Sequence, residues 1–156
     1  MTKTYRMYIK ASPEAIWEAI TTAEIAQQYG YGTPVEYDLR PGGAYRSLAS
    51  SEMRQYGTPH VLIDGEVIEV DPPRRLVHTW RILWDPQALA EGFTHVAYDL
   101  EPLDDGITRL TVSHDVTDAP RTAAQIAGEL PEGGGGWSEI LSGLKTLLET
   151  GRPLAA

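Results

Sequence analysis

Four histidines, His60, His78, His95 and His114, are the residues best suited to hold a metal or move a proton. No two stand three or four residues apart, the spacing that puts a pair of imidazoles on one helix face for zinc, and each falls in a different predicted strand. His78 shares an alternation class with Leu76 and Trp80, and His114 with Leu110 and Val112, so both are expected to point inward. A buried histidine is most often a hydrogen-bonded core or wall residue, and no metal is expected. Ser113-His114-Asp115 has the letters of a hydrolytic triad. Successive strand residues project to opposite faces, however, so these three cannot form a nucleophile-base-orienter relay. No catalytic residue is assigned. The run Gly133 to Gly136 precedes a helix start, where free N–H groups could hold an anion. Yet no Lys-Ser/Thr follows, no strand precedes and Glu132 adjoins it, so a hinge is the better reading. Nothing calls for a cofactor.

The aromatic residues are more informative. Trp17, Tyr45, Trp80, Tyr98 and Trp137 fall on inward or helix-facing positions, and rings with one polar atom are the usual lining of small-molecule pockets. A solid core of the same rings is the competing reading. Polar tips on His78, Tyr98 and His114 favour a cavity, because a filled core favours groups without hydrogen-bonding demands. With Leu141 from the last helix, the candidate ligand-binding residues are Trp17, Tyr45, His78, Trp80, Tyr98, His114, Trp137 and Leu141.

A long C-terminal helix must position them. Trp137, Ile140, Leu141, Leu144, Leu147 and Leu148 repeat at helical spacing and form one apolar stripe. Gly136 or Ser138 can open this helix, Gly151 suits a left-handed cap, and Pro153 forbids continuation. Gly143 beside the stripe costs up to about 1 kcal/mol against alanine, and its missing side chain would leave space or allow close approach. Upstream, Tyr5, Met7 and Ile9 alternate as a first strand. Ser12-Pro13-Glu14 opens a helix carrying Ile16, Trp17 and Ile20, and Thr21 with Glu24 fits a capping box for a second short helix. Strands follow at Val35–Leu39, Ala44–Leu48, His60–Val70 with a bulge expected at Gly65, Leu76–Leu83, Thr94–Leu100 and Thr108–Asp115. Ser50–Pro59 and Asp85–Gly92 read as loops, and Asp118 and Pro120 introduce a helix to about Leu130. The result is an α+β fold, with a seven-stranded curved antiparallel sheet wrapped around the C-terminal helix and two short helices between strands 1 and 2.

One domain, residues 1–156, suits this length. Thirteen Lys and Arg against 22 Asp and Glu give a net charge of −9, which repels nucleic-acid phosphates and anionic membrane surfaces. Nucleic acid and membrane insertion are therefore not expected. The chain has no cysteine, and its start lacks the apolar run of a signal peptide. A cytoplasmic location is the default expectation.

Gly65-Glu66-Val67-Ile68-Glu69-Val70-Asp71-Pro72-Pro73-Arg74-Arg75-Leu76-Val77-His78-Thr79-Trp80 resembles the signature of proteins similar to the activator of the heat-shock protein 90 ATPase. Ser12 to Thr21, and Gly136-Trp137 with the Leu-rich helix, resemble the family's two ends. The resemblance implies the helix-grip fold of START-type lipid carriers and polyketide cyclases (the SRPBCC superfamily), with a cavity between sheet and long helix. The chain departs from the family at Tyr29-Gly30-Tyr31, where paired tryptophans often stand. It also has no room for the separate chaperone-binding domain of the eukaryotic co-chaperones, so the resemblance is poor evidence for a chaperone partner. Three functions follow. The leading one is non-catalytic binding of a small, mostly hydrophobic or aromatic ligand. The others are a cyclase- or dehydratase-like enzyme using His78 or His114, and a chaperone-linked or regulatory interaction domain using the acidic surface. A homodimer is left open.

Overall fold

The computed structural model describes residues 1–155; the expected single domain ends on Ala156, which lies outside the described residues. The first strand, β1 (Thr2–Ile9), is followed by α1 (Pro13–Thr21) and α2 (Ala23–Ala26), then β2 (Val35–Tyr37) and β3 (Ala44–Leu48). Next come α3 (Ser51–Gln55), β4 (Val61–Asp71), β5 (Arg75–Ile82), α4 (Pro86–Glu91), β6 (Thr94–Pro102) and β7 (Thr108–Asp115). The chain closes with α5 (Pro120–Ile126) and α6 (Gly136–Thr150). All strand pairs are antiparallel, in the order β1-β7-β6-β5-β4-β3-β2.

Period-2 alternation decides which side chains face α6. On β5 these are Leu76, His78, Trp80 and Ile82; on β6, Thr94, Val96, Tyr98 and Leu100; on β7, Thr108, Leu110, Val112 and His114, all buried. The opposite face carries ion pairs such as Arg81–Asp64 at 2.7 Å and Arg75–Asp99 at 2.6 Å. Pairs of this kind, exposed or only partly buried, are worth about 1 kcal/mol each, so the fold is carried by the inner face.

Helix α6 answers the sheet with Trp137, Leu141, Leu144 and Leu147, each contributing about 1.5–3 kcal/mol by burial. Ile140 and Leu148 pack on the core at its margin. The helix ends as its sequence requires: Gly151 adopts φ +75° and donates its N–H to the Leu147 carbonyl at 2.8 Å. Lys145 Nζ reaches both the Tyr8 carbonyl and Glu149, at 2.7 Å each, and Glu149 accepts the Lys10 N–H at 2.8 Å. The C-terminal turns of α6 are thereby tied to the end of β1.

The structure departs from the sequence expectation at several points. The stretches expected as loops contain α3 and α4, so there are six helices among the described residues. Both are opened by capping side chains: Ser50 Oγ accepts the Met53 N–H at 3.2 Å, and Asp85 Oδ1 accepts the Gln87 N–H at 3.0 Å. Helices of five and six residues are too short to display an apolar stripe. Helix α5 stops at Ile126 rather than near Leu130. Thr21 does not cap α2; its hydroxyl turns back onto the Trp17 carbonyl at 2.8 Å, and Thr22 stands at the cap without a side-chain bond. The bulge in β4 falls at Ile68, where the register with β5 shifts between Val67 and Glu69. Gly65 serves a different need, because a Cβ there would collide with the Thr79 backbone carbonyl of the neighbouring strand. A second register shift, between Ser47 and Leu48, and the one at Ile68 help bend the sheet around α6.

Candidate functional site

Between the concave face of the sheet, α6 and the chain from Tyr29 to Thr33 lies a cavity of about 360 Å³. The sheet supplies Tyr37, Tyr45, Trp80 and Tyr98, and α6 supplies Trp137, Ile140, Leu141 and Leu144. Gly30, Glu132 and Gly134 line it and are also exposed, so the cavity meets solvent between the Tyr29–Thr33 segment and the glycine run. Glu132 is the one charged residue in the lining among the described residues.

Five of the eight candidates, Tyr45, Trp80, Tyr98, Trp137 and Leu141, stand in this lining. Trp17, His78 and His114 do not. Trp17 follows Ile16 on α1 and is only partly buried, whereas Ile16, Ala19 and Ile20 at helical spacing face the core. The two histidines are fully buried behind the rings that do line the cavity. His114 stacks obliquely on Trp80 with centroids 5.0 Å apart, and His78 lies 4.1 Å from Tyr45.

Their hydrogen bonds determine their protonation. Trp137 Nε1–H, which can only donate, approaches His114 Nδ1 at 3.1 Å, so Nδ1 carries no proton. The proton is then on Nε2, donated to Thr94 Oγ1 at 2.7 Å, and Thr94 donates in turn to the Trp80 carbonyl at 3.1 Å. His78 donates Nδ1–H to the Thr79 carbonyl at 2.7 Å and leaves Nε2 to accept from the Tyr37 hydroxyl at 3.2 Å. Burial pushes the pKa of His78 down to about 4 and that of His114 to about 3; for His114, neighbouring His78 adds to the effect. Both rings are therefore neutral at pH 7. Burial likewise raises the Tyr29, Tyr37, Tyr45 and Tyr98 hydroxyls above the ordinary phenol value, so they remain protonated.

Tyr31 joins the two sides of the mouth. Its hydroxyl accepts the Gly136 N–H at 3.1 Å, and its ring lies so close to Gly134 that a Cβ there would stand 2.8 Å from it. Gly136 itself has φ +69° and abuts the Ile126 carbonyl, which excludes a side chain. Gly143 permits the close approach its sequence position suggested: an added Cβ would lie 3.2 Å from the Gly30 nitrogen and 3.4 Å from Tyr29 Cβ.

Sequence reasoning left out Tyr29, Tyr31, Tyr37, Met53, Trp84 and Gln125, all in the lining. Tyr37 was recoverable, since it alternates with the acids Glu36 and Asp38. Gln125 carries no such signal, because a polar residue on a short helix looks the same whether it faces water or a cavity.

An antiparallel sheet gripping a C-terminal helix, with a cavity between them, defines a helix-grip protein. The chain belongs to the Activator of Hsp90 ATPase homolog 1-like family, whose model matches residues 10–149. No curated protein matches the chain. Among solved structures it is similar to protein MLL2253 of Mesorhizobium loti, with 20% identity and a TM-score of 0.69 over 96% of this chain and 97% of that one. It is also similar to the Aha1 dimer protein of Colwellia psychrerythraea, with 19% identity and a TM-score of 0.64 over 97% and 98% of the two chains. A third relative in fold is PFC0360w, an Hsp90 activator of Plasmodium falciparum, with 20% identity and a TM-score of 0.57 over 99% and 91%. Among the described residues no helix is long and apolar enough to cross a membrane.

Proposed function

We propose that this protein binds a small, mostly hydrophobic molecule in the cavity between sheet and α6, without transforming it. The observation that carries this reading is the lining itself: aromatic and aliphatic side chains around about 360 Å³, with Glu132, the one charged group in it among the described residues, at the mouth. Tyr45, Trp80, Tyr98, Trp137 and Leu141 touch the ligand in this reading, His78 and His114 hold the rings in place, and Trp17 supports α1 from outside. The histidine bonding supports a binder over an enzyme, since a general acid or base must present a ring nitrogen to its substrate.

The test is a titration of the 15N-labelled protein with 2-ethylnaphthalene, followed by NMR. Saturable shifts of the lining residues are expected, and Leu141→Trp, which fills the space, is expected to abolish them while the rest of the spectrum stays folded. Absence of saturable shifts, or binding unchanged in Leu141→Trp, overturns the reading.

A further inference from the structure

The sheet is open at both ends of its strand order. At one end β2 has three residues, too few to template another strand; at the other, β1 runs for eight. Its pairing with β7 is one to one, from Thr2 opposite Asp115 to Ile9 opposite Thr108, without a bulge or a proline. Those are among the devices by which native sheets blunt an edge.

The Val116 N–H, bonded to the Met1 carbonyl at 2.8 Å, sets the phase of the ladder. Antiparallel backbones point alternately towards their neighbour and away from it. Lys3, Tyr5, Met7 and Ile9 therefore turn their N–H and C=O groups to β7, and Thr2, Thr4, Arg6 and Tyr8 turn theirs outward. The outward Tyr8 carbonyl accepts from Lys145 Nζ at 2.7 Å, and the outward Lys10 N–H donates to Glu149 at 2.8 Å, as this phase demands. Nothing does the same further back: among the described residues the backbone groups of Thr2, Thr4 and Arg6 have no partner, and all three residues are exposed.

Charge decides what can pair there. Eight of the thirteen Lys and Arg residues are ion-paired among the described residues, whereas Lys3, Arg6, Lys10, Arg54 and Arg152 are not. Three of these five lie on β1 or directly after it, on a strand without an acid, in a chain of net charge −9. The nearby carboxylates are turned elsewhere: Asp115 holds the N-terminal amine and Thr117, Glu149 holds Lys145, and Glu129 lies by the Tyr5 hydroxyl. A second copy of β1 would set like charges against each other, which disfavours self-pairing. An acidic strand meets opposite charge at Lys3 and Arg6, and the half-exposed ring of Tyr8 gives it apolar surface beside them.

We propose that β1 is a docking edge for an acidic, extended segment of another protein, which joins the sheet as an eighth strand. The outward backbone groups of Thr2, Thr4 and Arg6 hold it, and Lys3 and Arg6 select its charge. The cavity takes no part in this docking.

The experiment is an NMR titration of the 15N-labelled protein with the peptide acetyl-EVEVEVE-amide at low salt, about 50 mM, where charge contacts are strongest. Saturable shifts of the Thr2, Thr4 and Arg6 amides are expected, with hydrogen exchange at Thr4 and Arg6 slowed at least about tenfold at saturation. The lysine counterpart, acetyl-KVKVKVK-amide, should bind at least about tenfold more weakly, and so should the acidic peptide to the double variant Lys3→Glu, Arg6→Glu. Thr4→Pro removes one outward N–H without touching the ladder to β7 or the charge, and should abolish the shifts while circular dichroism stays native. Absence of saturable shifts on β1, equal binding of the two peptides, or binding that survives Thr4→Pro or the double variant would overturn the proposal. So would Thr4 and Arg6 amides that are already protected without peptide and lose that protection on dilution, the sign of a second copy on the edge.

Discussion

The buried histidines give the fold a steep acid sensitivity that can be worked out in advance. The perturbation is a fall in pH from 8 to 5. The pKa values of His78 and His114 are lowered from 6.5 to about 4 and about 3 in the folded protein, because burial disfavours the imidazolium. Their stabilisation is fully present above pH 6.5. It is lost as pH falls towards the lowered values, because the unfolded chain then takes up two protons that the native state refuses. Each histidine contributes a slope of about 1.4 kcal/mol per pH unit below 6.5, so the pair loses about 2.7 kcal/mol per pH unit, and about 4 kcal/mol has gone by pH 5. That is a large part of a typical total of about 5–15 kcal/mol. The lowered pKa values of Asp85, Asp115 and Glu149 act in the same direction but at lower pH, since their ordinary values are 3.8, 3.8 and 4.5. The interval from pH 6 to 5 therefore isolates the histidines. Urea unfolding at fixed protein concentration, repeated every half unit from pH 8 to 5, reads the slope directly. His78→Gln and His114→Gln should each halve it, to about 1.4 kcal/mol per unit, whatever their stability at pH 8. A slope below about 1 kcal/mol per unit between pH 6 and 5, or one that neither substitution changes, would refute the assignment of two neutral buried rings.

Trp137→Phe keeps most of the ring but removes the donor to His114 Nδ1, leaving a buried acceptor unpaired. The expected loss is about 1–3 kcal/mol by urea denaturation, with a similar fold by circular dichroism, and an unchanged midpoint would refute the relay through Thr94 to the Trp80 carbonyl. Gly65→Ala places a methyl group against the rigid Thr79 carbonyl between β4 and β5. A loss of about 1–3 kcal/mol or more is expected by thermal unfolding, and a neutral or stabilising effect would show that the two strands separate more easily than their pairing implies.

Both ends of the fold were legible in local sequence. Alternation along β5, β6 and β7 identified the inward set from Leu76 to His114, because a strand repeats every two residues whatever lies opposite. The stripe of α6 and its cap at Gly151 were equally plain, since helical spacing and a left-handed cap are short-range requirements. The missed helices α3 and α4 are held by single capping side chains, and a serine or aspartate before a polar stretch reads equally well as a loop. Facing inward did not, however, tell a wall of the cavity from a residue behind it. His78 and His114 share their strands' inward class with Trp80 and Val112, yet they are covered by partners brought from far along the chain. Tyr37 comes from 41 residues before His78 and Trp137 from 23 residues after His114. Such pairings depend on strand order and on where α6 comes to rest. Sequence alone thus determined which side chains leave the solvent, through periodicities of two and 3.6. The space between Trp80, Tyr45 and Leu141 was decided only by the tertiary structure, because a void is a property of how separately specified surfaces meet.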